Sequence, residues 1–215
     1  FVALKGRNHD AHDYLGLALE KGAAALLVSR VPEGLLERAA AAGAAVLLAR
    51  GTLGALARLA AGQRDMTSAA VGITGSTGKT ITKDFVSAVL ARAGKVTAAR
   101  GSYNNEIGVP LTLLEVGEDT DFVVLELGSR GKGHIAKLCA YSRPQVGVVT
   151  NVGWAHLQYF RTRDNLAQAK AELLRALPAD GWAVIKADDD YAGLLRRARS
   201  APVVTFGSSR RADVR

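Results

Sequence analysis

A glycine loop followed by lysine and threonine is the part of this sequence that most clearly predicts chemistry. The segment Gly72-Ile73-Thr74-Gly75-Ser76-Thr77-Gly78-Lys79-Thr80 follows a short apolar run and leads into a helical pattern. The backbone N–H groups of such a loop bind phosphates together with the positive end of the helix, a lysine reaches terminal phosphate oxygens, and a hydroxyl binds Mg²⁺. The sequence therefore predicts a site for a nucleoside triphosphate and Mg²⁺, made by Gly75, Ser76, Thr77, Gly78, Lys79 and Thr80.

The match to the phosphate-loop pattern G-x-x-x-x-G-K-[ST] is incomplete, because Ile73 stands where the pattern has its first glycine. The core of the pattern, Gly75-x-x-Gly78-Lys79-Thr80, is intact. The alternative is a glycine-rich turn between a strand and a helix that carries a chance Lys-Thr pair. The strand, loop and helix around the motif favour the phosphate loop.

Three more polar residues follow predicted strands at the edge where a parallel sheet binds its ligands. Glu126 lies at the end of the run Phe122–Leu127, and Asn151 and His156 follow a strand that ends at Thr150. Ligands lie outside the carboxyl ends of parallel strands. A carboxylate and an imidazole there would suit a divalent metal that bridges phosphates. The alternatives are a Glu126 that faces solvent and a His156 that caps a backbone group.

Lys170 occupies an unusual position on a helix predicted over residues 163–176. At about 100° per residue, Lys170 falls inside the apolar arc, whereas Glu172 faces away from it. The arc is made by Leu166, Ala169, Leu173, Leu174 and Leu177. Either Lys170 extends along the apolar surface to water, or it is held against the interior, where burial lowers the pKa of the amine and makes it reactive.

Other candidate metal ligands and the single cysteine favour structural roles. His9 and His12, with Asp10 and Asp13, have the composition of a metal site, but their spacing fits no standard one, so a polar loop is expected. Cys139 cannot form an intrachain disulfide because it has no partner, and it lies in an apolar helical pattern. We expect it to be a small buried hydrophobic residue.

The order of predicted elements indicates two α/β domains. Helices over residues 14–21, 33–42 and 53–61 alternate with strands over 24–29 and 44–49, and further strands follow over 70–74, 122–127, 146–150 and 182–186. This alternation predicts a small N-terminal α/β domain at 1–65, then a phosphate-loop domain with a mostly parallel sheet at 66–215.

Composition limits the function classes. The chain of 215 residues is 48% hydrophobic, enough for a sizeable core. No apolar run reaches the roughly 18 residues that span a membrane, so a cytoplasmic protein without a membrane span is expected. The net charge of +8 is compatible with nucleic acid or a polyanionic small substrate, but no basic tract interleaved with aromatics supports nucleic acid. The chain starts without Met, which is expected of a fragment.

The motifs taken in order resemble the Mur ligase family over nearly the whole chain. They are Phe1-Val-Ala-Leu-Lys-Gly6, Gly75-Ser-Thr-Gly78-Lys79-Thr80, Asn104-Asn-Glu-Ile-Gly-Val-Pro-Leu-Thr-Leu-Leu114, Leu125-Glu-Leu-Gly128, Val149-Thr-Asn-Val-Gly-Trp-Ala-His156-Leu, Ala169-Lys170-Ala-Glu172 and Ala187-Asp-Asp189. The ordered set is far more specific than any one motif.

The resemblance implies a UDP-substrate domain, a central ATPase domain and a C-terminal domain absent from this sequence. It also implies a monomer that acts on a UDP-MurNAc-tripeptide and D-Ala-D-Ala. The γ-phosphoryl group of ATP would pass to the terminal carboxylate of the peptide, and the amine of D-Ala-D-Ala would attack the acyl phosphate.

The resemblance also implies roles for the residues of the ATPase site. Lys79 would hold the β- and γ-phosphates, while Thr80 and Glu126 would ligate Mg²⁺. His156 would ligate a second Mg²⁺, and Lys170 would carry a carbamate formed from CO₂. Lys79, His156 and Lys170 are the implied catalytic residues.

A second group of residues is implied to contact the substrate or the base of the nucleotide. Lys5, Asn104 and Asn105 would lie on the substrate side, and Lys186 and Asp189 would lie beside the nucleotide. Lys186 replaces the asparagine that normally seats the adenine. Other departures from the family pattern, at Thr77, Ile81, Ser102 and Gln158, bear on nucleotide selectivity and affinity.

Two other interpretations remain open at this point. Diaminopimelate-adding and folylpolyglutamate-type ligases share the ATPase core, although the run from Asn104 to Leu114 favours the type that adds D-Ala-D-Ala. A phosphate-loop protein that binds nucleotide as a switch, or on nucleic acid, would also explain the loop and the positive charge.

Overall fold

The N-terminal part of the chain builds a small parallel sheet with short helices. After a 3-10 turn (Ala11–Tyr14), the elements are α1 (Leu15–Glu20), β1 (Ala25–Val28), α2 (Leu35–Ala41), β2 (Ala45–Leu48) and α3 (Thr52–Arg64). Strands β1 and β2 pair in parallel. Leu26 and Val28 of β1 are buried in one core with Leu15, Leu35 and Ala39. The helices are short, so packing against the strands rather than helix propensity must stabilise them.

The rest of the chain alternates strands and helices. The elements are β3 (Ala69–Thr74), α4 (Lys79–Leu90), β4 (Val96–Ala98), α5 (Gly108–Leu114), β5 (Phe122–Glu126), α6 (His134–Ser142), β6 (Val146–Val149), α7 (Leu157–Phe160), α8 (Arg163–Arg175), β7 (Trp182–Lys186), α9 (Ala192–Arg197) and β8 (Val203–Phe206). These bounds come from a computed structural model that describes residues 1–66, 69–154, 157–199 and 202–215, and the backbone alone of Leu157.

The chain divides by internal packing into residues 1–58 and 59–215, here called the N-terminal and C-terminal units. The division falls within α3. The domain boundary predicted from the sequence, between residues 65 and 66, lies just after that helix and stays a prediction.

The C-terminal unit contains a parallel sheet with the strand order β4-β5-β3-β6-β7-β8. Strand β3 lies between β5 and β6, which follow it in the chain and flank it on opposite sides. The strand order reverses at this point, and parallel sheets bind their ligands in the crevice that such a reversal opens at the carboxyl ends of the strands. The loop after β3 therefore lies where a ligand is expected.

Two glycines let helix α8 pack closely on one face of this sheet. Gly72 of β3 and Gly147 of β6 are partners in adjacent strands. A methyl group on either would come within 3.1 Å of the Leu173 side chain of α8. The opposite face has Ile73, Val124 and Val148 in a core that also involves α4 residues. The close approach of α8 brings the helix that carries Lys170 against the sheet.

The fold class predicted from the sequence is confirmed: the described part of the chain has an α/β architecture, and its pairing strands are parallel. Strands β4 and β8 were not predicted. Both lie at the edges of the larger sheet, where they are short and only partly buried. Among the described residues, no helix is long and apolar enough to cross a membrane.

Candidate active site

The phosphate loop connects β3 to α4 at the point where the strand order reverses. Gly75 is buried against the segment after β6, and a Cβ atom there would overlap the Thr150 hydroxyl. Gly78 precedes α4 with a positive φ of 78°, a conformation that glycine adopts without strain. The loop thus delivers Lys79 and Thr80 to the first turn of a helix, where backbone N–H groups lack intrahelical acceptors. Such a terminus can bind an anion.

The segment after β6 holds the loop in this shape. The Thr150 hydroxyl donates to the Thr77 carbonyl at 2.6 Å, and the Ser76 N–H donates to the Asn151 carbonyl at 3.1 Å. The Asn151 side chain accepts from the Thr77 N–H at 3.2 Å and donates to the Thr77 carbonyl at 3.1 Å. Asn151, singled out from the sequence because it follows a strand, therefore positions the loop.

Lys79 folds back over the loop. Its ammonium donates to the Gly75 carbonyl at 3.0 Å. This contact pre-orients the lysine above the loop, next to the free N–H groups at the start of α4. A phosphate oxygen that entered the loop would offer the ammonium a charged acceptor in place of a neutral one.

Glu126 is buried at the end of β5, beside the phosphate loop. The residue is only 1% exposed to solvent. One carboxylate oxygen accepts from the Thr80 hydroxyl at 2.7 Å, and the other accepts from the Asn104 amide at 2.7 Å. Glu126 does not face solvent, and the first alternative from the sequence is wrong.

The neutral partners of Glu126 indicate a binding site for a cation. A buried carboxylate is costly unless a positive charge or a metal compensates it, and no ion pair forms between Glu126 and any described residue. A carboxylate and a hydroxyl are the oxygen ligands that Mg²⁺ prefers, usually together with phosphates and waters. The residues present therefore fit a magnesium ion, although no group of three His, Cys, Asp or Glu residues arranged for a metal occurs in the described ranges.

Lys170 points into the protein from α8 and is 3% exposed. Burial lowers the pKa of its ammonium to about 7, and the positive charge of Lys79 acts in the same direction. The ammonium has no hydrogen bond to any of the residues that the structure describes. Of the two alternatives that the helical phase left open, the inward orientation is therefore the one observed.

Glu172, two residues further along α8, has a role that the sequence did not suggest. Its carboxylate accepts from the Gly133 N–H at 2.6 Å and from the Ala136 N–H at 3.1 Å. It therefore satisfies two orphan donors at the start of α6. Glu172 was predicted to face away from the apolar arc of α8. It is nevertheless half-buried, because its carboxylate caps α6. The sequence gives no sign of this contact, because Glu172 and the start of α6 lie far apart in the chain.

The other residues expected at the nucleotide lie at the end of β7 or just after it. Asp189 accepts from the Val152 N–H at 2.8 Å and from the Tyr191 N–H at 2.9 Å. It thereby fixes the segment after β6 that clamps the loop. Lys186 is half-buried at the end of β7. His156, expected to ligate a metal, lies outside the described residues.

An aromatic and cationic group near this segment was missed by the sequence reading. The Arg163 guanidinium lies 4.7 Å from the centroid of the Trp154 ring and 5.1 Å from that of the Tyr191 ring. It also donates to the Val152 carbonyl at 2.9 Å and pairs with Asp190 at 3.0 Å. The residues come from three separate segments, so no local pattern could have signalled the group.

Residues expected on the substrate side lie in both units. Asn104 orients Glu126, and the Asn105 side-chain oxygen accepts from the N–H groups of Ile107 and Gly108, at 3.0 and 2.8 Å, which caps α5. In the N-terminal unit, exposed Lys5 lines an open pocket with Arg7 and Arg30 among others.

The expected polar loop of the N-terminal unit is a hydrogen-bonded turn. The His12 ring is buried, contacts Asp10 at 2.6 Å through Nδ1, and accepts from the Ser29 N–H at 3.0 Å through Nε2. Both ring nitrogens are thus used within the turn. Cys139 is buried as expected, and burial raises the pKa of its thiol to about 12.

Comparison with known proteins gives one family for the C-terminal unit. Residues 73–215 match the model of the Mur ligase middle domain. Over 190 residues the chain is 42% identical to a UDP-N-acetylmuramoyl-tripeptide–D-alanyl-D-alanine ligase of Synechocystis, covering 88% of this chain and 41% of the relative. It is 40% identical over 233 residues to the ligase of the same name from Mycobacterium tuberculosis H37Rv, covering 100% of this chain and 45% of that one.

Solved structures of the same family are also similar to this chain. The MurF of Acinetobacter baumannii superposes with a TM-score of 0.87 at 32% identity, covering 96% of this chain and 45% of that one. MurF of Thermotoga maritima in complex with ADP gives a TM-score of 0.84 at 33% identity, covering 96% of this chain and 47% of that one. The chain spans less than half the length of each of these relatives.

Proposed function

The chain belongs to the Mur ligase family, and on that premise we propose that it carries the ATP-binding part of a ligase that joins D-Ala-D-Ala to a UDP-MurNAc-tripeptide. One observation carries the proposal: the phosphate loop meets a buried Glu126 that has neutral partners only. The names of the relatives suggest the two substrates. Since those relatives are about twice as long, the full activity belongs to a protein of their length.

In this proposal, Lys79 and the loop N–H groups bind the β- and γ-phosphates of ATP. Lys79 already lies over the loop, 3.0 Å from the Gly75 carbonyl oxygen. Because Thr150 and Asn151 fix the loop, binding costs little reorganisation. Fixed positive groups aimed at a transferring phosphoryl group supply most of the catalysis in such reactions.

Thr80 and Glu126 would hold Mg²⁺. The hydrogen bond from Asn104 fixes one carboxylate oxygen of Glu126, so the carboxylate is oriented in advance. When bound, Mg²⁺ would neutralise the charge on the β- and γ-phosphate oxygens. His156 would complete a second metal site according to the family likeness.

Lys170 would act as a carbamate. Its ammonium would first lose a proton, and the neutral amine would then attack CO₂, form an N–C bond and release a second proton, which leaves an extended carboxylate. A pKa of about 7 leaves a large neutral fraction at physiological pH. The neighbouring charge of Lys79, which disfavours an ammonium at this position, would favour the carbamate anion.

The reaction then follows from the groups assembled. A peptide carboxylate oxygen would attack the γ-phosphorus and displace ADP, with Lys79 offsetting the developing charge. The amine of D-Ala-D-Ala would add to the acyl phosphate carbon, lose a proton and expel inorganic phosphate, which leaves an amide. Asn104 donates to Glu126, and together with the neighbouring Asn105 it would lie on the side from which the reacting carboxylate arrives.

Lys5 and the open pocket that it lines with Arg7 would contact the UDP part of the substrate. The N-terminal unit would thus serve as a UDP-substrate domain, as the sequence predicted for residues 1–65. Lys186 and Asp189 would lie near the nucleotide base. A monomeric state, a cytoplasmic location and independence from nucleic acid stay predictions.

The substrate requirement tests the proposed function. Phosphate release by the protein at the full length of its relatives should require ATP, a UDP-MurNAc-tripeptide and D-Ala-D-Ala together. The 215-residue chain alone should bind Mg-nucleotide weakly and form no amide, because closure of a further domain normally completes such sites. Stimulation of phosphate release by DNA or RNA, without the peptide substrates, would contradict the proposed ligase function.

Two substitutions test the site assignment separately. Lys79→Ala should remove measurable ATP binding in calorimetry, because a phosphate-holding cation is lost. Glu126→Ala should bind ATP but need about tenfold more Mg²⁺, because one ionic ligand is lost. Lys95→Ala is the control, since its side chain is 59% exposed and its one ion pair among the described residues is with the exposed Asp119. Unchanged ATP affinity in Lys79→Ala would contradict the phosphate-loop assignment.

A further inference from the structure

The Arg163 guanidinium has no part in the reaction described so far, although it binds the backbone of the segment that clamps the phosphate loop. Arg163 is the first residue of α8, and its side chain is 20% exposed. It donates to the Val152 carbonyl at 2.9 Å. The rings of Trp154 and Tyr191 lie against the guanidinium and hold the cation without using its N–H groups. The carboxylate that pairs with it, Asp190, is 74% exposed, so water screens that pair.

Two successive peptide groups of the segment after β6 contact Ser76 of the phosphate loop. The Asn151 carbonyl accepts from the Ser76 N–H at 3.1 Å, and the Gly153 N–H donates to the Ser76 hydroxyl oxygen at 2.9 Å. Val152 supplies the other half of each group, its N–H to the first and its carbonyl to the second. A trans peptide group is planar and points its C=O and N–H in opposite directions. Both polar groups of Val152 therefore point away from Ser76.

Charged side chains bind these two outward ends. Asp189 accepts from the Val152 N–H at 2.8 Å, and Arg163 donates to the Val152 carbonyl. Hydrogen bonds in a chain polarise one another. An anion on the N–H makes the carbonyl of the same peptide group a better acceptor, and a cation on the carbonyl makes the N–H a better donor. The signs of both charges therefore strengthen the contacts with Ser76.

Ser76 is the residue through which this arrangement would reach a nucleotide. It is 6% exposed, and its hydroxyl oxygen accepts from the Gly153 N–H. The hydroxyl hydrogen has no acceptor among the residues that the structure describes. A serine hydroxyl can donate and accept at the same time, so this hydrogen is available to a phosphate oxygen that enters the loop.

We propose that Arg163 is a positioning residue of the ATP site, which orients Ser76 for phosphate binding through the peptide group that joins Val152 to Gly153. The inference rests on the proposed function, because it needs a nucleotide phosphate in the loop. Asp189 acts in the same sense on the preceding peptide group. Since Arg163 acts through the backbone at the loop, its loss should affect ATP and not the two peptide substrates.

Calorimetry of Mg-ATP binding by the protein at the full length of its relatives tests this role. Arg163→Met keeps a long side chain but removes the charge and the donors, and it should raise the Kd for Mg-ATP about tenfold, because a charge-assisted hydrogen bond is lost. Arg163→Lys keeps a cationic donor and should recover most of the affinity. In steady-state assays, Arg163→Met should raise the KM for ATP and leave the KM values for the UDP-MurNAc-tripeptide and for D-Ala-D-Ala unchanged at saturating ATP.

A double-mutant cycle separates positioning from a general loss of stability. Ser76→Ala removes the acceptor of the Gly153 N–H, so in that background Arg163→Met should raise the Kd for Mg-ATP only about twofold or less. Arg175→Met is the matched control, because Arg175 is an exposed arginine at the other end of the same helix, where its side chain hydrogen-bonds to Gln168. It should leave the Kd and all three KM values unchanged.

Unchanged Mg-ATP affinity in Arg163→Met would overturn the inference alone, and so would a loss that is equally large with and without the Ser76 hydroxyl. Arg163→Gln, which is polar and uncharged, replaces Arg163→Met in both comparisons if the methionine variant does not fold, and the same outcomes decide. An unmodified protein that binds no Mg-ATP would instead overturn the proposed function, and this inference with it.

Discussion

Two buried lysines on different helices of the C-terminal unit have opposite surroundings. Lys83 on α4 is 4% exposed and donates to the Ala99 carbonyl at 2.6 Å and to the Gly101 carbonyl at 3.3 Å. It also pairs with Asp84 at 3.0 Å. Lys170 on α8 is 3% exposed, and its ammonium has no hydrogen bond within the described residues. Burial is equal, but only one of the two charges is solvated by the protein.

The difference separates a structural lysine from a chemical one. The carbonyls of Ala99 and Gly101 accept from Lys83, which ties α4 to the loop leading to Asn104. Without such acceptors, burial lowers the pKa of Lys170 to about 7 and leaves a nucleophilic amine. A buried lysine is therefore a candidate for covalent chemistry when its hydrogen-bond partners are missing, and not because it is buried.

The largest expected effect concerns turnover. In the protein at the full length of its relatives, Lys170→Ala should lower kcat by about a thousandfold or more, on the scale of losing a charged group at a transferring phosphoryl. Acetate or formate should restore part of the activity by supplying an anion, and bicarbonate should support activity of the unmodified enzyme at low CO₂. Lys83→Ala should show no rescue by either acid. Near-normal turnover of Lys170→Ala in CO₂-depleted buffer would contradict the proposal that Lys170 acts as a carbamate.

The next effect concerns stability, and here the larger loss is expected at Lys83 and not at Lys170. Lys83→Met should lower the free energy of unfolding by about 2 kcal/mol, because two carbonyls lose a charged donor. Lys170→Met should leave the stability unchanged or raise it, because it removes a buried polar group without partners. Urea unfolding of the 215-residue chain followed by tryptophan fluorescence measures both, since Trp154 and Trp182 lie in the C-terminal unit. Equal losses in the two variants would show that the ammonium of Lys170 is held by contacts like those of Lys83.

Sequence reasoning could find Lys170 but not Lys83. In α8 the apolar residues share one face, and Leu166, Leu173 and Leu174 are buried together with Lys170. In α4 the pattern misleads, because the apolar Ile81, Phe85 and Val89 follow one another at helical spacing and yet are 64%, 70% and 71% exposed. Periodicity predicts which face of a helix is apolar. Tertiary packing decides which face is covered.

The same limit applies to the rest of the site. The loop and Glu126 could be predicted because a motif and strand ends have local signatures, and the parallel sheet brings those ends together. The clamp on Thr77, the cap by Glu172 and the stack around Arg163 join segments that lie far apart in the chain. Their partners are set by the strand order, which a single sequence does not reveal.

A smaller effect concerns the dependence of stability on pH. The folded pKa of Lys170 lies near 7 and the unfolded value near 10.5, so between them the unfolded chain binds the additional proton. The free energy of unfolding should therefore rise with pH, by about 1 kcal/mol per pH unit above pH 7.5. Lys170→Met should lack this rise in CO₂-depleted buffer. The two proteins should be compared between pH 7.5 and 8.5. Burial raises the pKa of Cys139 in the folded state, so above about pH 9 the unfolded chain loses the thiol proton first and the free energy of unfolding falls. Parallel pH profiles for the two proteins would mean that Lys170 is protonated in the folded state.

The smallest expected effect concerns Asp84, the one carboxylate that pairs with Lys83 among the described residues. Its side chain is 66% exposed, and exposed ion pairs contribute about 0–1 kcal/mol because water and salt screen them. Asp84→Asn should therefore change the free energy of unfolding by less than about 0.5 kcal/mol, far below the loss in Lys83→Met. Urea unfolding at low and high salt measures it. A loss as large as that of Lys83→Met would mean that the contact with the carboxylate, and not the contacts with the two carbonyls, stabilises the buried Lys83, and the contrast with Lys170 would then rest on a counter-ion instead of on backbone acceptors.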